Sequence, residues 1–206
     1  MLYYENNANL FFGKEGKVEV KGKKEGTEMI GKDEMTETTR GLKPLPSQKV
    51  EPNTPLFDAY KIMQSLTDDS EKKDFYSADK LGEIIGRWNI NYSRYLVDVK
   101  DYDSALHTLQ FALDITSSPE IRADARLQRG SIFSIFLNSY EEALAEYLLN
   151  LEEYPKLPQA EVSLYNVALL LDELGYSEKA KERLKEYKEK YPNGRYINNV
   201  NRMLGE

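Results

Sequence analysis

Cysteine is absent from this sequence, and histidine occurs once, at His107. The first absence excludes disulfides and thiolate chemistry; it leaves the redox compartment open. The second excludes the common zinc sites, which gather several His or Cys ligands. A lone imidazole between Leu106 and Thr108 therefore reads as an ordinary helix residue. No apolar run approaches the ~18 residues of a membrane-spanning helix. Positive charge is not in excess either. Lys and Arg number 28 against 35 Asp and Glu, for a net charge of −7 and a pI near 5.0. Residues 1–50 are close to balance, so the surplus acid lies in 51–206. An acidic body without a basic stripe is a poor match for a phosphate backbone, and nucleic acid is not an expected partner. Gly-rich phosphate loops, nucleophile elbows and HExxH are missing as well. Acidic pairs do occur, at Asp68-Asp69, Glu141-Glu142 and Glu152-Glu153. They fall at helix starts, where they favour the dipole, or on solvated faces. Neither an enzyme nor a metal or cofactor site is expected.

What the sequence has instead is a period. The blocks DYDSALHTLQFALDITSSP, NSYEEALAEYLLNLEEYP and GYSEKAKERLKEYKEKYP follow one another between Asp101 and Pro192. Their small residues Ala105, Ala143 and Ala180 lie 38 and then 37 residues apart, and their closing prolines Pro119, Pro155 and Pro192 lie 36 and 37 apart. A fixed period in this range is the signature of stacked helical repeats. Each block reads as a helical hairpin: a helix to Val99, then about Asp103 to Ile115; Pro119 to Leu137, then Glu141 to Glu153; Pro158 to Leu174, then Ser177 to Lys190. The alanines sit where paired helices cross, since a larger side chain there would force the axes apart. Leu106, Leu109, Leu113, Leu144, Tyr147, Leu148 and Leu184 fall on the faces to be buried. The run KAKERLKEYKEKYP mixes signs at i,i+4 spacing and reads as a solvated helix face.

The residues before the repeats differ in kind. In 1–40, LYY, NLFF, KVEVKG, EMI and MTETT are short runs separated by Asn, Gly and Lys-Glu-Gly turns, a β pattern. Val18 and Val20 alternate with Lys17, Glu19 and Lys21, as on a strand with one buried face. GLKPLPSQKVEPNTPL, residues 41–56, holds four prolines and reads as an extended linker separating the β portion from the rest. Thr54-Pro55 opens a helix running to about Leu66. After the polar TDDSEKKDF comes a second helix, from Ser70 or Ser77, with an apolar stripe of Ile84, Ile85, Trp88, Tyr92, Tyr95 and Leu96. The opening MLYYENNANLFF lacks the basic-then-apolar order of a signal peptide. It reads as mid-domain, so a leader and further protein are expected upstream.

The three blocks resemble the tetratricopeptide repeat. Block three carries Leu164, Ala168, Leu171, Gly175, Ala180, Leu184 and Pro192, with Tyr187 where a second small residue is usual. Block two supplies Gly130, Ala143, Tyr147 and Pro155, is one residue longer, and has Asn150 for the late Ala. Block one keeps Tyr102, Ala105, Leu109 and Ala112. The resemblance implies a mainly α fold: an α-α superhelix of hairpins over 57–206, with repeats at about 77–119, 120–155 and 158–192 and a capping helix at 195–204. GKVEVKG followed by EMIGKDEMTET is similar to the closing strands of a FecR domain, an extracytoplasmic β module of bacteria. That implies a partial module over about residues 9–50.

In tetratricopeptide stacks the first helix of each pair lines a concave groove. The resemblance places that groove at Arg87, Asn91, Arg94 and Asp98, at Asp124, Gln128, Ser131 and Ser134, and at Tyr165, Leu169 and Asp172. Arg87 and Arg94 could hold a carboxylate, and Tyr165 could pack on an apolar side chain. A peptide or partner protein is the expected occupant. The expected function is a non-enzymatic scaffold. The FecR-like strands and the Tyr-Pro endings at Tyr154-Pro155 and Tyr191-Pro192, similar to repeats of periplasmic assembly proteins, suggest the bacterial envelope. A cytoplasmic adaptor and a homodimerising module, joined through apolar ridges at one end of the stack, are the alternatives.

Overall fold

A computed structural model describes residues 2–3, 8–22, 26–68 and 75–206. Tyr4, part of the Lys-Glu-Gly turn at 23–25, Asp69 and most of the polar break at 69–74 lie outside the described residues. The chain is mainly helical with a small N-terminal β segment. It divides into two compact units, Met1–Arg122 and Ala123–Glu206.

Unit 1 begins with β1 (Leu2–Tyr3), β2 (Asn9–Phe12), β3 (Val18–Lys21), β4 (Thr27–Ile30), β5 (Glu34–Thr38) and β6 (Gln48–Lys49). Strands β1, β2, β5 and β6 form one antiparallel sheet in the order β1-β2-β5-β6, and β3 and β4 pair as a separate hairpin. In β3 the alternation is only half realised: Val20 is buried, but Val18 is 44% exposed. Met35, Thr36, Glu37 and Thr38 are all buried, so β5 is covered on both faces.

Within the Pro-rich stretch 41–56, residues 42–51 are extended, a turn follows at 52–53 and the first helix takes the last two; the stretch is not a spacer. It folds back along β5. Leu45 donates its N–H to the Glu37 carbonyl at 3.0 Å, Thr36 Oγ1 donates to the Leu45 carbonyl at 2.6 Å, and β6 pairs with the start of β5. Leu45 and Val50 are buried. Proline is tolerated on such an edge because an edge strand can spare donors, so composition alone does not separate a linker from an edge strand.

Helices α1 (Pro55–Asp68), α2 (Phe75–Asp98) and α3 (Tyr102–Ile115) complete unit 1, with the first turn of α4 (Pro119–Ser131). Thr54 caps α1 by accepting from the Phe57 N–H at 3.3 Å. Leu10 and Met35 from the sheet, Val50, Leu56 and Ala59, Leu81 and Ile85 of α2, and Phe111 and Ile115 of α3 share one apolar core. Burying each large member contributes ~1.5–3 kcal/mol. The β segment is thus integral to the first helices. Gly82 permits a close approach within this unit, since a Cβ there would lie 2.5 Å from the Ile115 carbonyl oxygen. Asp114, buried on α3, receives Arg40 and Thr39 Oγ1 from the end of β5.

Unit 2 holds the rest of α4, a π-helical turn at Ile132–Phe136, α5 (Tyr140–Glu153), α6 (Pro158–Glu173), α7 (Ser177–Lys190) and α8 (Ile197–Leu204). One apolar cluster joins Ala143 and Tyr147 to Val167 and Leu170; another joins Leu164, Ala168, Leu184, Tyr187 and Val200. Gly130 lets the Tyr147 ring lie on α4, for a Cβ there would sit 2.7 Å from ring atoms.

The three hairpin turns are built alike. Ala105, Ala143 and Ala180 are each the fourth residue of their helix, each is buried, and each donates its N–H 3.0 Å to the carbonyl of Asp101, Ser139 or Tyr176. Two residues before each helix stands a left-handed residue, Lys100 (φ 64°), Asn138 (φ 51°) or Gly175 (φ 84°). In the first and third turns the next N–H bonds back five residues, Asp101 to Leu96 and Tyr176 to Leu171, both at 2.8 Å. That is a Schellman closure. In the second it bonds back six, Ser139 to Phe133 at 2.9 Å, and Leu137 bonds to Ile132 in π fashion. The π turn absorbs the residue by which the first spacing exceeds the second. Only the third turn uses glycine, so the shared geometry is not apparent from residue type.

Candidate functional site

The expected groove residues of unit 1 share one face. Arg87, Asn91, Arg94 and Asp98 are all exposed along α2 at helical spacing. Beside them the aromatic stripe departs from expectation. Trp88 and Tyr92 are half-buried and stack at 4.9 Å; Tyr92 and Tyr95 stack at 5.9 Å, and Tyr95 is 58% exposed. Gln48 of β6 donates to the Tyr92 hydroxyl at 2.7 Å, which fixes the middle ring. The ladder thus runs from the core to solvent. Tyr95 and the 52% exposed Val99 lie at the surface, whereas periodicity sets Tyr95 in the apolar stripe. The difference is angular: Leu96, one residue further along the same stripe, is buried, and Tyr95 lies at the edge of that stripe.

In unit 2 the expected residues are largely engaged. Asp124 accepts from Gln159 Nε2 at 2.6 Å; Ser131 Oγ lies 3.2 Å from the Tyr147 hydroxyl; Ser134 Oγ donates to the Ser131 carbonyl at 3.3 Å. Gln128 and Leu169 are half-buried. Asp172 is exposed and accepts from Ser177 Oγ at 2.8 Å, within the α6–α7 turn. Tyr165, expected to pack on a ligand, instead stacks on Tyr196 with centroids 4.2 Å apart and meets the edge of Tyr187. The sequence YPNGRY brings Tyr196 back over α6 just before α8. A capping segment that borrows a groove side chain cannot be read from the repeat pattern alone.

Two arrangements of buried acids lie under these surfaces. In unit 2, Arg126 of α4 reaches Glu146 at 3.3 Å and Glu153 at 2.7 Å on α5, and Arg129 reaches Glu146 at 2.6 Å. In unit 1, Glu37 of β5 is 2% exposed and accepts from Asn89 Nδ2 of α2 at 3.2 Å, while Glu37 Oε1 and Asn89 Oδ1 have no protein partner. Burial pushes the Glu37 carboxyl up to about 8, against which the Asn89 bond acts weakly. A protonated acid pairs naturally with a carboxamide, each donating to the other. A perturbed acid is a catalytic candidate when a cleft admits substrate; Glu37 is sealed. His107 is buried too, and burial followed by the nearby Lys43 charge lowers it to about 4. Among the described residues no group of His, Cys, Asp and Glu is placed to hold a metal ion, and no helix is long and apolar enough to cross a membrane.

No known family model matches this chain, and no curated protein matches it.

Proposed function

We propose that the chain is a non-enzymatic scaffold of tetratricopeptide-like hairpins that binds a partner protein or peptide. The observation that supports this best is the hairpin repeated three times, with its buried alanine, left-handed turn residue and equivalent hydrogen bond. Repeats of this kind offer extended surfaces rather than catalytic clefts. The face of α2 bearing Arg87, Asn91, Arg94 and Asp98, with Tyr95 and Val99 alongside, is the binding surface: Tyr and Arg dominate such contacts, and here they stand together in solvent. Arg87 and Arg94 meet carboxylates of the partner, and Tyr95 packs against its apolar side chains. The strands at 18–21, 27–30 and 34–38, with their FecR-like sequence, favour the bacterial envelope as the compartment.

The test is affinity capture with the intact chain beside Arg87→Glu/Arg94→Glu. Loss of a specific partner from the variant is expected; recovery of the same proteins by both chains would remove α2 from the reading. Fractionation of cells carrying the tagged full-length gene places the compartment.

A further inference from the structure

The alternation in β3 is left half finished. Val20 is buried, but Val18, two residues earlier on the same face, is 44% exposed. Strand β3 pairs with β4, Val18 opposite Ile30 and Val20 opposite Glu28. Among the described residues no strand covers its other edge. At the end of the hairpin Gly22 donates its N–H to the Gly26 carbonyl at 2.9 Å. Backbone groups along an antiparallel ladder alternate in direction. Those of Val18 and Val20 therefore point to β4, and those of Lys17, Glu19 and Lys21 point outward.

Charge on this edge alternates too. Glu15, Lys17, Glu19 and Lys21 are all exposed, and Glu19 lies 3.1 Å from Lys21 along the strand. An exposed pair of that kind holds its members loosely. No charge on β4 answers them from across. Glu19 faces Met29 and Lys21 faces Thr27, while Glu28 lies on the other face and accepts from the Ser47 N–H at 2.8 Å. Lysine alone on an edge discourages pairing; alternating signs instead select a partner and a register. A second β3 laid antiparallel and centred on Glu19 would set Glu19 against Glu19 and Lys17 against Lys21. Centred on Lys17 it would set lysine against lysine, and centred on Val20 it would set Lys17 against Lys23. Centred on Val18, every charged pair is opposite: Lys17 with Glu19 in both directions, and Glu15 with Lys21.

We propose that the open edge of β3 is a self-association edge whose occupant is β3 of a second copy of the chain, paired antiparallel about a two-fold axis at Val18. The outward N–H and C=O groups of Lys17 and Glu19 bond to those of Glu19 and Lys17 on the other copy, and the two hairpins become one continuous sheet. Val18 meets Val18 as a non-hydrogen-bonded pair, the setting in which opposite side chains come closest. That covers the valine which β3 leaves in solvent. The interface is isologous, as in most homodimers. It is also small, so the dimer is weak and forms at about 0.1–1 mM.

Sedimentation velocity and cross-linking on the full chain test this. Wild type is expected to dimerise as its concentration nears millimolar. Lys17→Glu and Glu19→Lys each lower the association constant about tenfold, because each sets like charges opposite one another twice. An equimolar mixture of the two variants associates as wild type does, since every glutamate then faces a lysine. The chain has no cysteine, so Val18→Cys supplies a single thiol. Mild oxidation should link two copies there, because Cα atoms of such a pair lie about 4.5 Å apart. Glu19→Cys, off the axis, links about tenfold more slowly or less. All three sites are exposed, and an unchanged circular dichroism spectrum confirms that the variants fold. A wild-type chain that stays monomeric at millimolar concentration overturns the proposal. So does a mixture that associates no better than its components, or Glu19→Cys linking as fast as Val18→Cys. Arg87→Glu/Arg94→Glu leaves the dimer intact, which keeps this edge separate from the α2 surface.

Discussion

In unit 1 the carboxyl of Glu37, 2% exposed, meets a carboxamide; in unit 2 the carboxylate of Glu146, 8% exposed, sits between two guanidinium groups. Both acids lie where strand or helix packs on helix, and both are nearly out of reach of water. They differ in what answers the charge. With only an amide opposite, the cheaper course is to keep the proton. With arginines opposite, the charges offset one another, and the cost appears only when one of them is removed. Burial alone therefore does not say whether an acid will make its unit sensitive to pH; its partners do.

The comparison is broken most directly by Glu37→Gln. A carboxyl that titrates at about 8 when folded and near 4.5 otherwise stabilises the fold fully below pH 4.5 and loses that contribution as pH rises through 8. His107 runs the other way: its folded value near 4 contributes stability above pH 6.5 that is lost as pH falls toward 4. The two slopes offset between pH 4.5 and 6.5, leaving the wild-type unit to weaken from 6.5 to 8. Glutamine mimics the protonated acid toward Asn89, so the variant is level in that upper window and more stable than wild type at pH 8 by on the order of 4 kcal/mol. Trp88, the sole tryptophan, lies in unit 1 and reports its denaturant midpoint alone. A wild-type midpoint that does not move between pH 6.5 and 8 would show that Glu37 is not the proton holder.

Arg126→Met attacks the other side. It strips Glu153 of its arginine and leaves Glu146 with Arg129 only, and unit 2 is expected to lose about 3 kcal/mol. Hydrogen exchange of α4 and α5 amides measures this, with Trp88 emission unchanged. Ala143→Phe comes next: at a fully buried helix crossing the extra volume costs about 1–3 kcal/mol, seen as a lower thermal midpoint for unit 2. Smallest is Arg183→Ala. Its pair with Glu186 at 2.7 Å is half in solvent, and its loss shifts stability by under about 1 kcal/mol. A larger effect there would mean that solvent-facing charges matter in this fold as buried ones do.

The helices were legible in the sequence because period, caps and turn residues agreed: α5, α6 and α7 begin within a residue of where the pattern sets them. Less legible was everything decided by contact between distant segments. The stretch around Leu45 looked like a spacer because proline marks both linkers and edges, and only its bond to Glu37 tells them apart. Leu148 and Tyr95 were read as core from spacing, yet spacing gives a direction around the helix axis and not whether another element waits there. For the same reason spacing does not separate Arg87 and Arg94, which are exposed, from Tyr165, which is taken by Tyr196.

The turn at Ile132–Phe136 carries one residue more than its two counterparts, wound into a wider coil rather than extruded as a loop. Removing a single residue there would tighten the coil and turn every later side chain of that rod by roughly 100° about its axis. Ile135 and Phe136, now facing water, would be turned away from their present direction. The surplus residue thus works as a phase shifter, setting which side of one rod is shown to solvent while the turn after it closes with a bond one residue longer than in its counterparts.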